Sequence, residues 1–585
     1  MIQGWVQIVV FVAVTVALTP LLGGYMARVY DGGAKPILLE RVFGPFERFL
    51  YRLLGVNPSE GQDWKRYARS LLVFSGLFWI AMYVILRTQT LHPWNHQNFH
   101  SGTWDVTFNT VSSFVTNTNW QFYGGETTLT YFSQMVGLTV QNFVSAAVGI
   151  AVLIAMIRGI RARSGASLGN FWHDLIRTLL YVLLPLSFIG ALILVSQGVI
   201  QNLSAYTTFH TVVGGTQTLA LGPAASQIAI KQLGTNGGGF FNTNSSYPFE
   251  NATALSNLVE TLFIILIPAA LTSTYGRMVG SRRQGWAIFA AMAVLWVGGI
   301  GIAYHAEQHG TPAQHLAGVT TRHMTGSAGG NMEGKEQRFG ITDSALWNVT
   351  TTVTSNGSVN SSMESYTGLG SAVPMSNLGM SEVVFGGVGT GLYSMLVFVL
   401  LAVFIGGLMV GRTPEYLGKK IGAREIKLIA IASLATPLGV LMTSGSAIAS
   451  PAGRESIAAK GPQGFSENLY AYLSQGNNNG SAFAGYTGYI QPNPGNLGAH
   501  GVKLATLMGG LTMIFLRFLP IILVLAIAGA LSGKKVAPAG PGTMRTDTPT
   551  FVVLLIGVVI LVGALTFFPA LLLGPIVQAL TTRVF

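Results

Sequence analysis

The 585-residue chain contains no cysteine, and only 9% of its residues are charged. The first absence excludes disulfides, thiolate metal sites and cysteine nucleophiles, and leaves the redox compartment open. The second, beside 50% hydrophobic residues, excludes a soluble globule, because so little polar surface could not cover so large an apolar volume. The chain is expected to live in a bilayer. Its 73 glycines suit close helix packing and non-helical backbone that lines a cavity. A net charge of +12 raises the possibility of nucleic acid, but the distribution of that charge points to topology instead, and no nucleic-acid partner is expected.

Apolar stretches fall near 5–24, 70–87, 131–157, 177–198, 257–276, 286–304, 388–411, 427–446, 504–531 and 550–575. Each approaches the roughly 20 residues needed to cross about 30 Å of hydrocarbon, so ten spans are predicted. The first, with no charged leader or convincing cleavage site, reads as a retained span. Segments 25–69, 158–177, 277–283, 411–427 and 533–546 hold 23 of the 33 Lys and Arg residues and all fall on one side of a ten-span chain. That side is read as cytoplasmic, with both termini outside. The loops 88–130, 199–256, 305–385 and 447–503, rich in Thr, Ser, Asn and Gly, then lie outside.

Four of the polar segments in those loops repeat: Thr116-Asn117-Thr118-Asn119, Gly234-Thr235-Asn236-Gly237, Thr354-Ser355-Asn356-Gly357 and Asn477-Asn478-Asn479-Gly480. Their third members recur at near-constant spacing. Each follows a semi-apolar stretch too short to cross a bilayer: Trp104 to Val115, Pro223 to Leu233, Thr342 to Val353 and Phe465 to Gln475. These read as half-helices that dip into the membrane and aim negative C-terminal ends at a shared axis, a geometry that favours cations. One copy alone is ordinary Asn-Gly turn chemistry. Four copies at one period, each between spans, point to a single-chain ion filter built from main-chain carbonyls. Asn356 and Asn479 also open glycosylation sequons, which a filter would leave no room to modify.

The fold expected is an all-α polytopic membrane protein of about ten transmembrane helices. Four span, half-helix, loop, span units occupy 70–157, 158–278, 279–411 and 412–531. An extra span and basic segment precede them at 1–69, and a linker and extra span follow at 532–585.

Longer runs carry a resemblance. Val115 to Gln121, Gly124 to Leu129, Leu233 to Asn242, Asn331 to Glu336, Gly411 to Lys420 and Asn477 to Phe483 are similar to the potassium-binding A subunit of the bacterial Kdp potassium-transporting ATPase, and the similarity runs essentially end to end. It implies kinship with Trk/Ktr-like potassium channels, K+ as the transported ion, and a bacterial inner-membrane complex. The other members of that complex would be a catalytic P-type ATPase subunit and small accessory membrane subunits, set among membrane lipids. The chain itself has neither the Asp-Lys-Thr-Gly loop of a P-type enzyme nor a P-loop Gly-Lys-Ser/Thr, so it reads as a non-hydrolytic subunit.

Carried over by motif, the filter residues are Asn117, Thr118 and Asn119; Thr235, Asn236 and Gly237; Ser355, Asn356 and Gly357; and Asn478, Asn479 and Gly480. Asn119 stands where the other copies have glycine, so strict fourfold symmetry is not expected. Gln121 resembles a position associated with ion binding, with an ordinary loop-tying hydrogen bond as its alternative. Arg517 lies midway along Leu504 to Leu531, where a charge must be paired or wetted. The resemblance places it beneath the filter, opposing free passage of K+ and diverting ions to the pumping subunit. A salt bridge that fixes helix packing is the alternative. Lys231 reads as an outward-facing anchor and Glu260 as a residue near the outer mouth or a network cap. His305 and His309 lack the zinc-protease order and read as wet loop residues. A stand-alone channel or secondary potassium transporter is the rival function.

Overall fold

A computed structural model describes residues 2–31, 38–163, 165, 167–324, 329–486, 498–538, 540 and 543–581. Residues 487–497 of the fourth outer loop and Lys35 of the first basic segment lie outside the described residues. Ten described helices are long and apolar enough to cross a membrane: Ile2–Asp31, Trp64–Arg87, Ser133–Arg161, Phe171–Ser196, Ala254–Met278, Arg282–Leu316, Thr390–Met409, Ala423–Ala449, Lys503–Ser532 and Pro549–Leu580. They are numbered here as spans one to ten. Each of the ten expected stretches coincides with one of them. Among the described residues sheet is confined to two short hairpins, which pair Thr207–His210 with Thr216–Leu219 and Glu415–Tyr416 with Lys419–Lys420.

Burial ranks the spans by position. Span three is the most enclosed of the ten, with nearly every residue from Val144 to Ile160 buried. Spans one and ten keep Val6, Val9, Val10, Leu561 and Leu565 exposed, as lipid-facing surfaces must be in a bilayer. Span one packs along span five, where Gly23 has no room for a side chain against the Ala270 carbonyl. Gly159 of span three meets Ala528 of span nine in the same way. Lipid tails are as apolar as the helices they surround, so backbone approach of this kind, rather than hydrophobic exclusion, holds such spans together.

The basic segments gather at one end of the bundle. Arg161 pairs with Asp31, Arg177 with Glu40, and Arg158 with the buried Asp174 at 2.6 and 2.8 Å. Lys419, on the second hairpin, donates to the C-terminal carbonyls of Gly159 and Leu531 at 2.9 and 2.7 Å. It thereby caps two spans whose last carbonyls lack intrahelical donors.

One expectation fails in the third unit. Residues 368–385, read as part of the outer loop 305–385, and the first residues of the stretch 388–411 form a buried helix, Gly368–Gly379, and a non-helical link. Phe385 of the link packs edge-on to Phe289 and Trp296 in the middle of span six. The second crossing of this unit is therefore a broken helix whose first half the hydropathy pattern missed. Irregular backbone is tolerated at that depth because protein shields it.

At the opposite end from the basic segments a buried network fastens the long third outer loop. Glu307 accepts from Lys335 at 2.7 Å, from Asn331 at 2.8 Å, and from both the amide and hydroxyl of Thr367 at 2.8 Å. Both charged side chains are fully buried. Burial lowers the affinity of Lys335 for its proton, and the Glu307 carboxylate opposes that shift. Replacing Lys335 by Met strands the carboxylate and is expected to cost about 3–5 kcal/mol. Thermal unfolding in detergent reads this loss, and Lys335→Met/Glu307→Gln is expected to recover most of it.

Candidate ion filter

The four half-helices are present at Trp104–Val115, Ala224–Leu233, Gly340–Val353 and Gly461–Gly476. Each ends in the same way. The third member of the following segment returns its amide to the carbonyl five residues earlier: Thr118 to Ser113 at 2.9 Å, Asn236 to Lys231 at 2.8 Å, Asn356 to Thr351 at 3.0 Å and Asn479 to Ser474 at 2.8 Å. Carbonyls left open at the helix end are thus satisfied by the segment's own N–H groups.

Backbone handedness then alternates. Asn117, Thr235, Ser355 and Asn478 have φ of 67, 46, 49 and 54°, and Asn119, Gly237, Gly357 and Gly480 have φ of 54, 74, 87 and 95°. The third members between them are absent from the left-handed set. Alternation of hand turns successive peptide carbonyls toward one side instead of two. Holding so many non-glycine residues in the left-handed region costs of order 1–3 kcal/mol each, a strain that marks functional backbone.

The segments meet in cyclic order. A Cβ on Gly237 would overlap the carbonyl of Asn356, one on Gly357 that of Asn479, and one on Gly480 that of Thr118. In the remaining quarter Asn119 replaces glycine. Asparagine tolerates left-handed φ, and its side chain turns aside to donate to Asn142 at 2.8 Å and to the Gly237 carbonyl at 2.9 Å. Side-chain bonds close every junction. Asn117 donates to the Thr235 carbonyl at 2.8 Å, Asn356 to the Lys231 carbonyl at 3.1 Å, Ser355 to the Asn477 carbonyl at 3.2 Å and Asn478 to the Thr118 hydroxyl at 2.9 Å.

The structure therefore brings all twelve sequence-selected residues together. Thr118, Asn236, Asn356 and Asn479 are fully buried, and among the described residues none donates a hydrogen bond to their main-chain oxygens. By contrast, the Thr235 and Gly237 carbonyls already accept from Asn117 and Asn119, which makes them poorer ligands than the other ring oxygens. Gln121 clasps unit two from unit one, accepting from the Gly239 amide at 2.8 Å and donating to its carbonyl at 3.1 Å. That is the loop-tying role.

Arg517 is buried in span nine near Gly149 of span three. Among the described residues no carboxylate lies within salt-bridge distance of it. The nearby acid is Glu382, in the broken link of unit three, close enough for electrostatic interaction. The link also touches the ring, because the Val388 amide donates to the Thr235 hydroxyl at 2.8 Å. Sequence reading missed Glu382, although an acid in the apolar, glycine-rich run 381–389 was a visible signal. It also misplaced Lys231, which is buried and bound to Glu250 instead of facing outward. At the mouth, burial raises the Glu126 carboxyl while the Asn242 amide at 2.9 Å opposes that shift.

The sequence profile of the family described as Potassium-transporting ATPase A subunit matches residues 9–580. The chain belongs to that family. It is 54% identical over 579 residues to the potassium-transporting ATPase potassium-binding subunit of Rhodospirillum centenum, covering 99% of this chain and 98% of that one. The protein of the same name from Herpetosiphon aurantiacus is 53% identical, with 98% of each chain covered. The crystal structure of the potassium transporter TrkH from Vibrio parahaemolyticus shares the fold, with a TM-score of 0.51 at 13% identity over 78% of this chain and 84% of that chain.

The ring geometry sets a clear test. Gly357→Ala adds a methyl onto the Asn479 carbonyl at a left-handed residue, so it is expected to lower the melting temperature and remove any stabilisation by K+. Gly411→Ala, at φ 69° but in open space, is expected to cost about 1 kcal/mol and leave the K+ response intact.

Proposed function

We propose that this chain binds K+ in the four-segment ring, selects it from the outer side, and delivers it to a separate ATP-hydrolysing P-type subunit. Small accessory membrane subunits would complete the complex. The observation that carries this reading is the set of four buried third-member carbonyls without donors. A buried carbonyl must find a partner, and carbonyls converging from four quarters replace the hydration shell of a monovalent cation. The names of the relatives supply the ion and the pumping partner. The Lys and Arg distribution supports a plasma-membrane orientation with the ring outside and both termini extracytoplasmic.

A ligand bound only by the folded form stabilises it by about 2.7 kcal/mol at one hundred times its dissociation constant. Melting in K+ and in equimolar Na+ therefore tests the reading, and a clear upward shift in K+ alone is expected. Equal shifts remove the selectivity, and no shift with either ion removes the site. Co-purification with a P-type ATPase chain separates the pump from a self-sufficient channel, which would pass K+ in liposomes without ATP.

Arg517 lies on the inner route from the ring in this reading. Its charge raises the energy of a cation moving straight toward the cytoplasm and turns the ion aside toward the pumping subunit. Arg517→Ala is expected to retain the K+ melting shift while the number of ions moved per ATP falls several-fold. An unchanged transport ratio in the reconstituted complex would refute this role.

A further inference from the structure

The positions three residues before the four segments begin are Ser113, Lys231, Thr351 and Ser474, so three units carry a hydroxyl and one carries a full positive charge. The Ser113 hydroxyl has no hydrogen-bond partner among the described residues, but Thr351 shows the clip the position can make. Its hydroxyl donates to the Ser358 carbonyl at 2.8 Å and accepts from the Gly357 amide at 3.0 Å, clipping the end of the half-helix to the backbone just beyond the segment. Ser474 accepts from the Gly480 amide at 2.9 Å in the same sense.

Lys231 makes the corresponding bond in unit two. Its ammonium donates to the Gly238 carbonyl at 3.0 Å, and Gly238 is the counterpart of Ser358. The ammonium is also bonded to Glu250, whose other oxygen accepts from the Phe241 amide at 2.8 Å. Lys231 is 1% exposed and Glu250 fully buried.

The second segment runs into Gly237-Gly238-Gly239, two of which have positive φ. Consecutive glycines lose the most conformational freedom on ordering, so this quarter of the ring has the least intrinsic backbone definition. A charge-assisted bond is about twice as strong as a neutral one, and the adjacent carboxylate supplies the charge balance that burial demands.

Building on the ring as the K+ site, we propose that Lys231 is a positioning residue for ion selectivity: its buried pair with Glu250 fixes the glycine-rich quarter, so a cation behind the ring strengthens K+ binding. Coulomb repulsion alone predicts tighter binding when Lys231 is lost and little change when the Lys231–Glu250 pair is neutralised together, because that pair carries no net charge. Weakened K+ binding in the neutral pair is therefore the mark of positioning.

The test uses the whole complex and its K+-stimulated ATP hydrolysis, with K231M/E250Q as the main variant, since it removes both charges together and leaves neither unpaired. Its melting temperature without K+ is expected to stay near that of the wild type. KM for K+ is expected to rise about tenfold or more with little change in kcat, and discrimination against Na+ to fall alongside. K231R keeps the charge and the donors, and is expected to hold KM within about threefold of wild type. A neutral pair with wild-type or lowered KM would overturn the proposal, as would a K231R enzyme with KM raised about tenfold. Absence of any K+ dependence in the wild-type complex would instead defeat the reading of the ring itself, a result distinguishable from both.

Discussion

A carbonyl buried in a low-dielectric interior must be hydrogen-bonded or must hold a cation, and the rest of this molecule is arranged around four to which none of the described residues donates. Each lies in a segment whose amides have been spent on the end of its own half-helix. The donors and acceptors of one peptide chain are thereby sorted, N–H groups toward the helices and C=O groups toward the ring. The half-helix is the device that does the sorting, since its open C-terminal carbonyls attract the amides and leave oxygen facing the axis. The ten described spans, eight in the four units and one added at each end, serve to hold four such ends at one point.

Such a ring is under stress, because oxygens of like partial charge repel and left-handed backbone is costly. The structure answers with bonds between neighbouring units as well as within them. Asn117, Ser355, Asn356 and Asn478 each reach across a junction, and Ser145 of span three braces Asn117 from behind at 2.8 Å. Each segment is thus held in part by its neighbour. Its departures from fourfold symmetry follow the sequence: Asn119 in place of glycine turns a side chain into a donor, and the triple glycine of unit two takes on a charged clip.

Much of this was legible in the chain. The period of the asparagine segments, the length of the half-helices and the ten apolar runs each translate directly into geometry, because period and length are what a bilayer constrains. The broken crossing of unit three was not legible. Gly368–Gly379 is too short for a span, and only its packing against span six and the third half-helix reveals it as interior. Lys231 was misread for a related reason. A lysine near a membrane surface is expected to snorkel outward, and its inward course depends on Glu250, nineteen residues away, which no local pattern connects to it.

The broken link also joins two features that sequence treats separately. It carries Glu382 beside Arg517, and through Val388 it donates to Thr235 in the ring. A change in charge beneath the ring therefore has a short covalent route to the segment above it. A continuous helix would not offer this, because its amides are committed to their own turn. Breaking the crossing frees a backbone N–H to sense the ring while an acid from the same link faces the buried arginine. Glu382 and the ring-contacting Val388 thus share about six residues of irregular backbone, which pack on span three at Gly149 and on span six at Phe289 and Trp296.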